Sequence, residues 1–149
     1  MHRRTASIVL LSSAASWLPA CGKPDDPQAS LEAAVQRLQD ALEAKDAGAV
    51  LDMLDPRFRA QSDTSEGMDR EWARKTMTLM FLRYAQVKVI AVTGSSRVDE
   101  AGGQTGRTEA QVLVTGAQGL IPERAAPYRV ELQWWREGDD WKLRDLRWE

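Results

Sequence analysis

The chain has 149 residues, 43 % of them hydrophobic and 28 % charged, with a formal net charge of −2, one histidine and one cysteine. That is room for one domain with an ordinary core. A mildly acidic balance gives no footprint for nucleic acid. His2 and Cys21 both precede the part that can fold, which excludes histidine bases, cysteine nucleophiles and Cys/His zinc sites from the domain. Chemistry there falls to carboxylates, tyrosines, lysines or hydroxyls, and no metal or cofactor is expected.

His2, Arg3 and Arg4 make a positive start, Ala6 to Leu18 an apolar run, and small Ala20 precedes Cys21, the pattern of a secretory signal. The run falls short of the roughly 20 residues that span a bilayer as a helix. Leu18-Pro19-Ala20-Cys21 resembles the lipobox of bacterial lipoproteins, with an aliphatic residue three places before the cysteine and a small one just before it. The resemblance implies a signal peptide over residues 1–20, cleavage before Cys21, and acylation of its sulfur and its new amino group. Two or more acyl chains hold a protein stably, so the mature protein is expected to be membrane-anchored through Cys21 rather than spanning. In Gram-negative lipoproteins an aspartate after the cysteine is associated with inner-membrane retention. Gly22 stands there instead, which points to the outer membrane, with the domain facing the periplasm.

Residues 21–29 read as a polar, proline-bearing tether, about 25 Å long when extended. Ser30 then reads as the cap of a first helix, with Leu31, Ala34, Val35, Leu38 and Leu42 at helical spacing. Asp46 caps a short second helix carrying Val50, Leu51 and Leu54, which ends at Asp55-Pro56 because the residue before proline avoids the helical region. Phe58 is expected to fold back on the core, and residues 61–67 to form a polar loop. Trp72, Thr76, Met77, Met80, Phe81 and Tyr84 mark the inner stripe of a third helix, a core stripe rather than a cofactor box.

Val87 to Gly94 alternates as a strand, residues 99–106 form a glycine-rich turn without the Lys-Ser/Thr of a phosphate loop, and Arg107 to Thr115 is the next strand. After a long connection, Tyr128 to Glu149 reads as a hairpin around an acidic turn at Glu137 to Asp140. Strict alternation sets Trp134 opposite Trp141, Leu132 opposite Leu143 and Val130 opposite Asp145. Asp145 would then lie on the core face, either satisfied by an arginine or backbone amide, serving a pocket beside Tyr84, or turned outward by a bulge. Ile90, Val92, Leu113, Trp135, Leu146 and Trp148 would point the other way, an outer face apolar enough to bury in a homodimer. Leu146 and Trp148 break the alternation unless an extra residue intervenes.

The order of elements makes an α+β domain over residues 30–149, with three N-terminal helices packed on a curved four-strand antiparallel sheet. It resembles the nuclear-transport-factor-two-like, or cystatin-like, superfamily. The resemblance rests on the Leu31 to Leu42 helix, the Lys45-Asp46-Ala47-Gly48 break and the closing Trp141-Lys142-Leu143-Arg144-Asp145-Leu146 strand. It implies a cone whose open end forms a pocket, with Trp72, Tyr84, Tyr128, Trp134, Trp141 and Asp145 as candidate pocket residues. It also implies either a non-catalytic envelope module that binds an apolar small ligand or an envelope protein, or an isomerase- or dehydratase-type enzyme acting in the cone. Isomerase-like sites need two acids and a tyrosine in an apolar pocket, and no second buried acid can be named here.

Overall fold

A computed structural model describes residues 26–83, 87–116 and 127–149. Helix α1 spans Pro27–Glu43. Its cap is Asp26, whose carboxylate accepts from the Gln28 amide at 3.0 Å, and Pro27 takes the first helical position, where a missing N–H costs nothing. Ser30, expected as the cap, lies inside the first turn instead. Its hydroxyl donates to the Pro27 carbonyl at 3.0 Å and accepts from Trp141 Nε1 at 2.8 Å. Helix α2 spans Ala47–Met53 and is capped by Asp46, which accepts from the Ala49 amide at 2.9 Å.

Strands β1 (Leu54–Ser62) and β2 (Ser65–Asp69) follow, then helix α3 (Arg70–Arg83) and strands β3 (Val87–Val98), β4 (Thr105–Gly116), β5 (Tyr128–Glu137) and β6 (Asp140–Trp148). They form one sheet in the order β2-β1-β6-β5-β4-β3. The pair β1–β6 is parallel and the others are antiparallel. The sheet is therefore six-stranded and mixed, not the four-stranded antiparallel sheet expected. The two extra strands lie at and beside an edge. In β1 the buried Phe58 and Ala60 alternate with exposed Arg57 and Arg59 for only four residues, and in β2 only Met68 is buried. Short polar edges suit an outermost strand and leave almost no periodic signal.

Three helices cover one face of this sheet. From α1 come the buried Leu31, Ala34, Leu38 and Ala41. In α3 Ala73 is buried and Thr76 and Met77 are half-buried, whereas Met80, expected on the inner stripe, is exposed. The free edge of β3 is closed by α1, because Gln28 Nε2 donates to the Ser96 carbonyl at 2.7 Å while Gln28 Oε1 accepts from the Val98 amide at 3.0 Å. Register shifts at Ala91/Thr93 in β3 and at Arg144 in β6 add the local twist that curves a sheet.

Gly106 of β4 sets how closely α1 approaches. A Cβ there would lie 2.7 Å from Leu31 Cδ2 and 3.2 Å from the Arg97 carbonyl oxygen. Leu31 is fully buried and has nowhere to retreat. Gly106→Val is expected to lower stability by about 1–3 kcal/mol in urea unfolding. Stability unchanged within the error of that measurement would refute this close approach.

Candidate ligand-binding cavity

Between the helices and the concave face of the sheet lies a cavity of about 310 Å³, at the small end of the roughly 300–1,000 Å³ typical of small-molecule sites. Helix α1 contributes Val35, Leu38, Gln39 and Leu42 to its wall, and α3 contributes Trp72, Ala73, Thr76 and Met77. The sheet contributes Leu54 and Phe58 from β1, Thr108, Ala110 and Val112 from β4, Val130 and Leu132 from β5, and Leu143 and Leu146 from β6, with Val50 of α2 completing the wall. Among these residues only Gln39, Thr76 and Thr108 are polar. The Thr108 hydroxyl is already engaged, accepting from Trp134 Nε1 at 3.1 Å and sharing a 2.9 Å hydrogen bond with Ser96 Oγ. Among the described residues no three His, Cys, Asp or Glu side chains gather where they could hold a metal ion.

The structure distributes the six candidate pocket residues differently from the sequence reading. Trp72 borders the cavity, 38 % exposed, and stacks on Trp148 with ring centroids 6.4 Å apart and planes inclined by 18°. Trp134 and Trp141 are buried outside the lining, where Trp141 reaches the first turn of α1 through Ser30. They fill the space under the start of α1 and leave the cavity beside its later turns. Tyr128 is half-exposed and takes no part in the lining. Tyr84 and Cys21 lie outside the described residues.

Asp145 is moved by the hairpin register. Across β5 and β6, Trp134 pairs with Leu143, Gln133 with Asp145, Leu132 with Leu146 and Val130 with Trp148, so Arg144 is the extra residue of a β-bulge. Arg136, not Trp134, stands opposite Trp141. One inserted residue moves every later side chain to the other face. Asp145 consequently shares the convex face with Gln133, and Leu146 and Trp148, expected on an outer apolar face, pack against the core on the concave side. Of the other four residues assigned to that outer face, Leu113 is half-buried and Trp135 is 40 % exposed. For Ile90 and Val92 only the backbone of β3 is described: Ile90 pairs with Leu113, and Val92 falls at the register shift. The same convex face carries Arg107, Glu109, Glu131 and Gln133, so the described face is polar rather than the apolar one expected for a homodimer.

The bulge exposes a pair that the alternation did not show. Asp55, read only as a helix stop, is 0 % exposed and accepts from the Arg57 amide at 2.7 Å and from the Arg144 guanidinium at 3.0 Å. Burial pushes its carboxyl up, but the Arg57 amide and the Arg144 charge outweigh this and hold it below the ordinary carboxylate value. The Arg144 guanidinium also sits 3.9 Å from the centroid of the Trp135 ring. The spacing Leu143-Arg144-Asp145-Leu146, two apolar residues three apart in a strand, is the break in alternation that calls for an extra residue in the sequence, and Arg144 is that residue.

Solved structures carry the same architecture. A protein of unknown function from Pseudomonas putida, described as NTF2-like, aligns with a TM-score of 0.68 at 8 % identity, covering 82 % of this chain and 84 % of that one. The fold is NTF2-like, or cystatin-like. A cystatin-like protein from Nostoc punctiforme aligns at 0.62 with 16 % identity, covering 81 % of this chain and 88 % of that one. A candidate ketosteroid isomerase from Shewanella frigidimarina aligns at 0.65 with 13 % identity, covering 83 % and 97 %. Identities this low carry the fold alone. No protein-family model and no curated protein matches the chain.

Because its pKa is depressed in the folded state, Asp55 contributes stability that is full above the unfolded value near 4 and is lost as pH falls through the folded value. Asp55→Asn is expected to cost about 3 kcal/mol at neutral pH by stranding the Arg144 charge, with the difference from wild type shrinking below about pH 4. Urea unfolding of both proteins across pH checks this. A difference independent of pH would contradict the ion pair.

Proposed function

We propose that the domain is a non-catalytic binding module that holds a small apolar molecule in the cavity on the concave face. The observation that carries this reading is the wall itself, apolar apart from Gln39, Thr76 and Thr108. Such a wall favours ligands by removing apolar surface from water and offers a charged ligand no counter-charge among the described lining residues. Isomerase-type chemistry would call for a carboxyl group in the apolar pocket with its pKa raised. Asp55, a fully buried carboxyl, lies outside the lining and is held low.

In this reading the module is tethered to the periplasmic side of the bacterial envelope, at the outer membrane, by lipid on Cys21. The support is the lipobox-like Leu18 to Cys21 after a charged and apolar start. Among the described residues no helix is long and apolar enough to cross a membrane. A lipid-held carrier can take up an apolar molecule at the membrane surface or present it to an envelope protein.

Two measurements test the proposal. The uncharged dye N-phenyl-1-naphthylamine should bind saturably with enhanced emission, and Ala110→Trp, which fills the cavity from β4, should weaken binding by at least about tenfold in protein that circular dichroism shows to be folded. Undiminished binding by that variant would overturn the cavity as the site. Turnover of an isomerase or dehydratase substrate that Ala110→Trp abolishes would replace the binding reading with the enzymatic one. For the anchor, mass spectrometry should find acylated Cys21 at the mature amino terminus, and Cys21→Ala should move the protein from the membrane to the soluble fraction. An unmodified terminus at another residue would refute the lipid.

A further inference from the structure

On the opposite, convex face of the sheet a groove of about 560 Å³ runs over β3, β4 and β5. Its borders include Arg97, Asp99, Arg107, Glu109, Gln133 and Trp135. From this groove we infer a second binding site, for a glycan strand, with Trp135 as the platform for one sugar ring.

The first support is how Trp135 is mounted. One face of its ring is covered by the Arg144 guanidinium at 3.9 Å, and that guanidinium is fixed by its 3.0 Å hydrogen bond to the fully buried Asp55. Trp135 is still 40 % exposed as a residue and borders the groove. A buried ion pair thus backs an exposed indole that would otherwise be free to change rotamer. A platform fixed in advance loses little conformational entropy when a ligand settles on it.

The second support is what surrounds the ring. A sugar ring has an apolar C–H face and a rim of hydroxyl groups. An indole offers the partner for the first through C–H contacts with its π face, and planar guanidinium, amide and carboxylate groups offer fixed donors and acceptors for the second. Gln133 lies two residues from Trp135 on β5 and opposite Arg107, and Thr105 lies opposite Trp135 with its hydroxyl donated to Asp99, so Arg107 stands one strand and Arg97 two strands from the ring, at about 4.8 Å per strand.

The third support is a local repulsion. Arg97 and Arg107 face each other directly across β3 and β4, an arrangement that like charges disfavour. Arg107 has Glu131 at 3.5 Å, but among the described residues Arg97 makes no ion pair and no side-chain hydrogen bond. Acceptor oxygens laid between the two guanidiniums would relieve the repulsion, and glycan hydroxyl, amide or carboxylate groups supply them. Asp99 and Glu109 in the same groove disfavour a polyphosphate; Asp99 already accepts from the Thr105 hydroxyl, and Glu109 can accept from hydroxyls of the ligand.

Isothermal titration of the full chain in detergent micelles tests the site, with N-acetylchitohexaose as a neutral probe and a hexameric alginate as an acidic one. Saturable binding of at least one probe is expected, weakened about tenfold or more by Trp135→Ala, the scale of losing an aromatic anchor. Naphthylamine binding in the cavity should be unchanged in that variant, which separates the two sites. Failure of both saccharides to bind, or equal binding by Trp135→Ala, would overturn the inference. So would a dimer in sedimentation that Trp135→Ala dissociates and neither saccharide does, because the groove would then be an interface between copies of this chain.

Discussion

One extra residue in the last strand governs both faces of the sheet. With Arg144 inserted opposite Gln133, Leu143 and Leu146 both reach the concave side, where they join the cavity wall, although their spacing of three would send them to opposite faces of a regular strand. The inserted arginine itself goes to the convex side, meets Asp55 of β1 and lies under Trp135 of β5. A buried arginine and aspartate are each costly to desolvate, and removing either strands the other. The pair therefore ties β1 to the hairpin that carries most of the tryptophans.

The rest of the concave side divides by how its polar atoms are satisfied. At the end beneath the first turn of α1, the two large indoles carry N–H groups that need partners in a dry interior. Trp134 finds Thr108 and Trp141 finds Ser30, so that end is filled and fixed. Towards the later turns of α1 the inward residues are Val35, Leu38 and Leu42, facing Ala110, Val112 and Val130 from the sheet. Short and branched side chains on both sides leave space there. Small residues opposite the later half of one helix, and large ones under its start, set where the cavity lies.

Much of this was legible in the chain. The amphipathic repeat from Leu31 to Leu42, the Asp46 cap and the closing hairpin rest on local periodicity and side-chain capping, and the structure reproduces them at nearly the expected bounds. Strands β1 and β2 were not legible, because β1 pairs with the sequence-remote β6, β2 is a short polar strand on β1's other side, and Asp55-Pro56 is an equally good stop for the preceding helix. The side of Asp145 stays open in the sequence between strict alternation and a bulge, because the Leu143 to Leu146 spacing points to an extra residue while which residue is inserted is fixed only by pairing with β5. The cavity was foreseen only as a consequence of the fold. Its wall is made of residues that each look like ordinary core, and nothing in a leucine shows whether the space beside it is filled.

A double-mutant cycle at Asp55 and Arg144, with Asp55→Ala, Arg144→Ala and the double variant unfolded in urea at neutral pH, addresses most directly whether this pair holds the sheet together. Residues in contact couple by about 0.5–3 kcal/mol, and a fully buried carboxylate 3.0 Å from the Arg144 guanidinium, with the more exposed Arg57 guanidinium farther off at 3.5 Å, belongs in the upper half of that range. The double variant should accordingly be little less stable than either single one. Effects that simply add would show that β1 is held by its strand pairing and apolar contacts without this ion pair, and that the bulge at Arg144 is incidental.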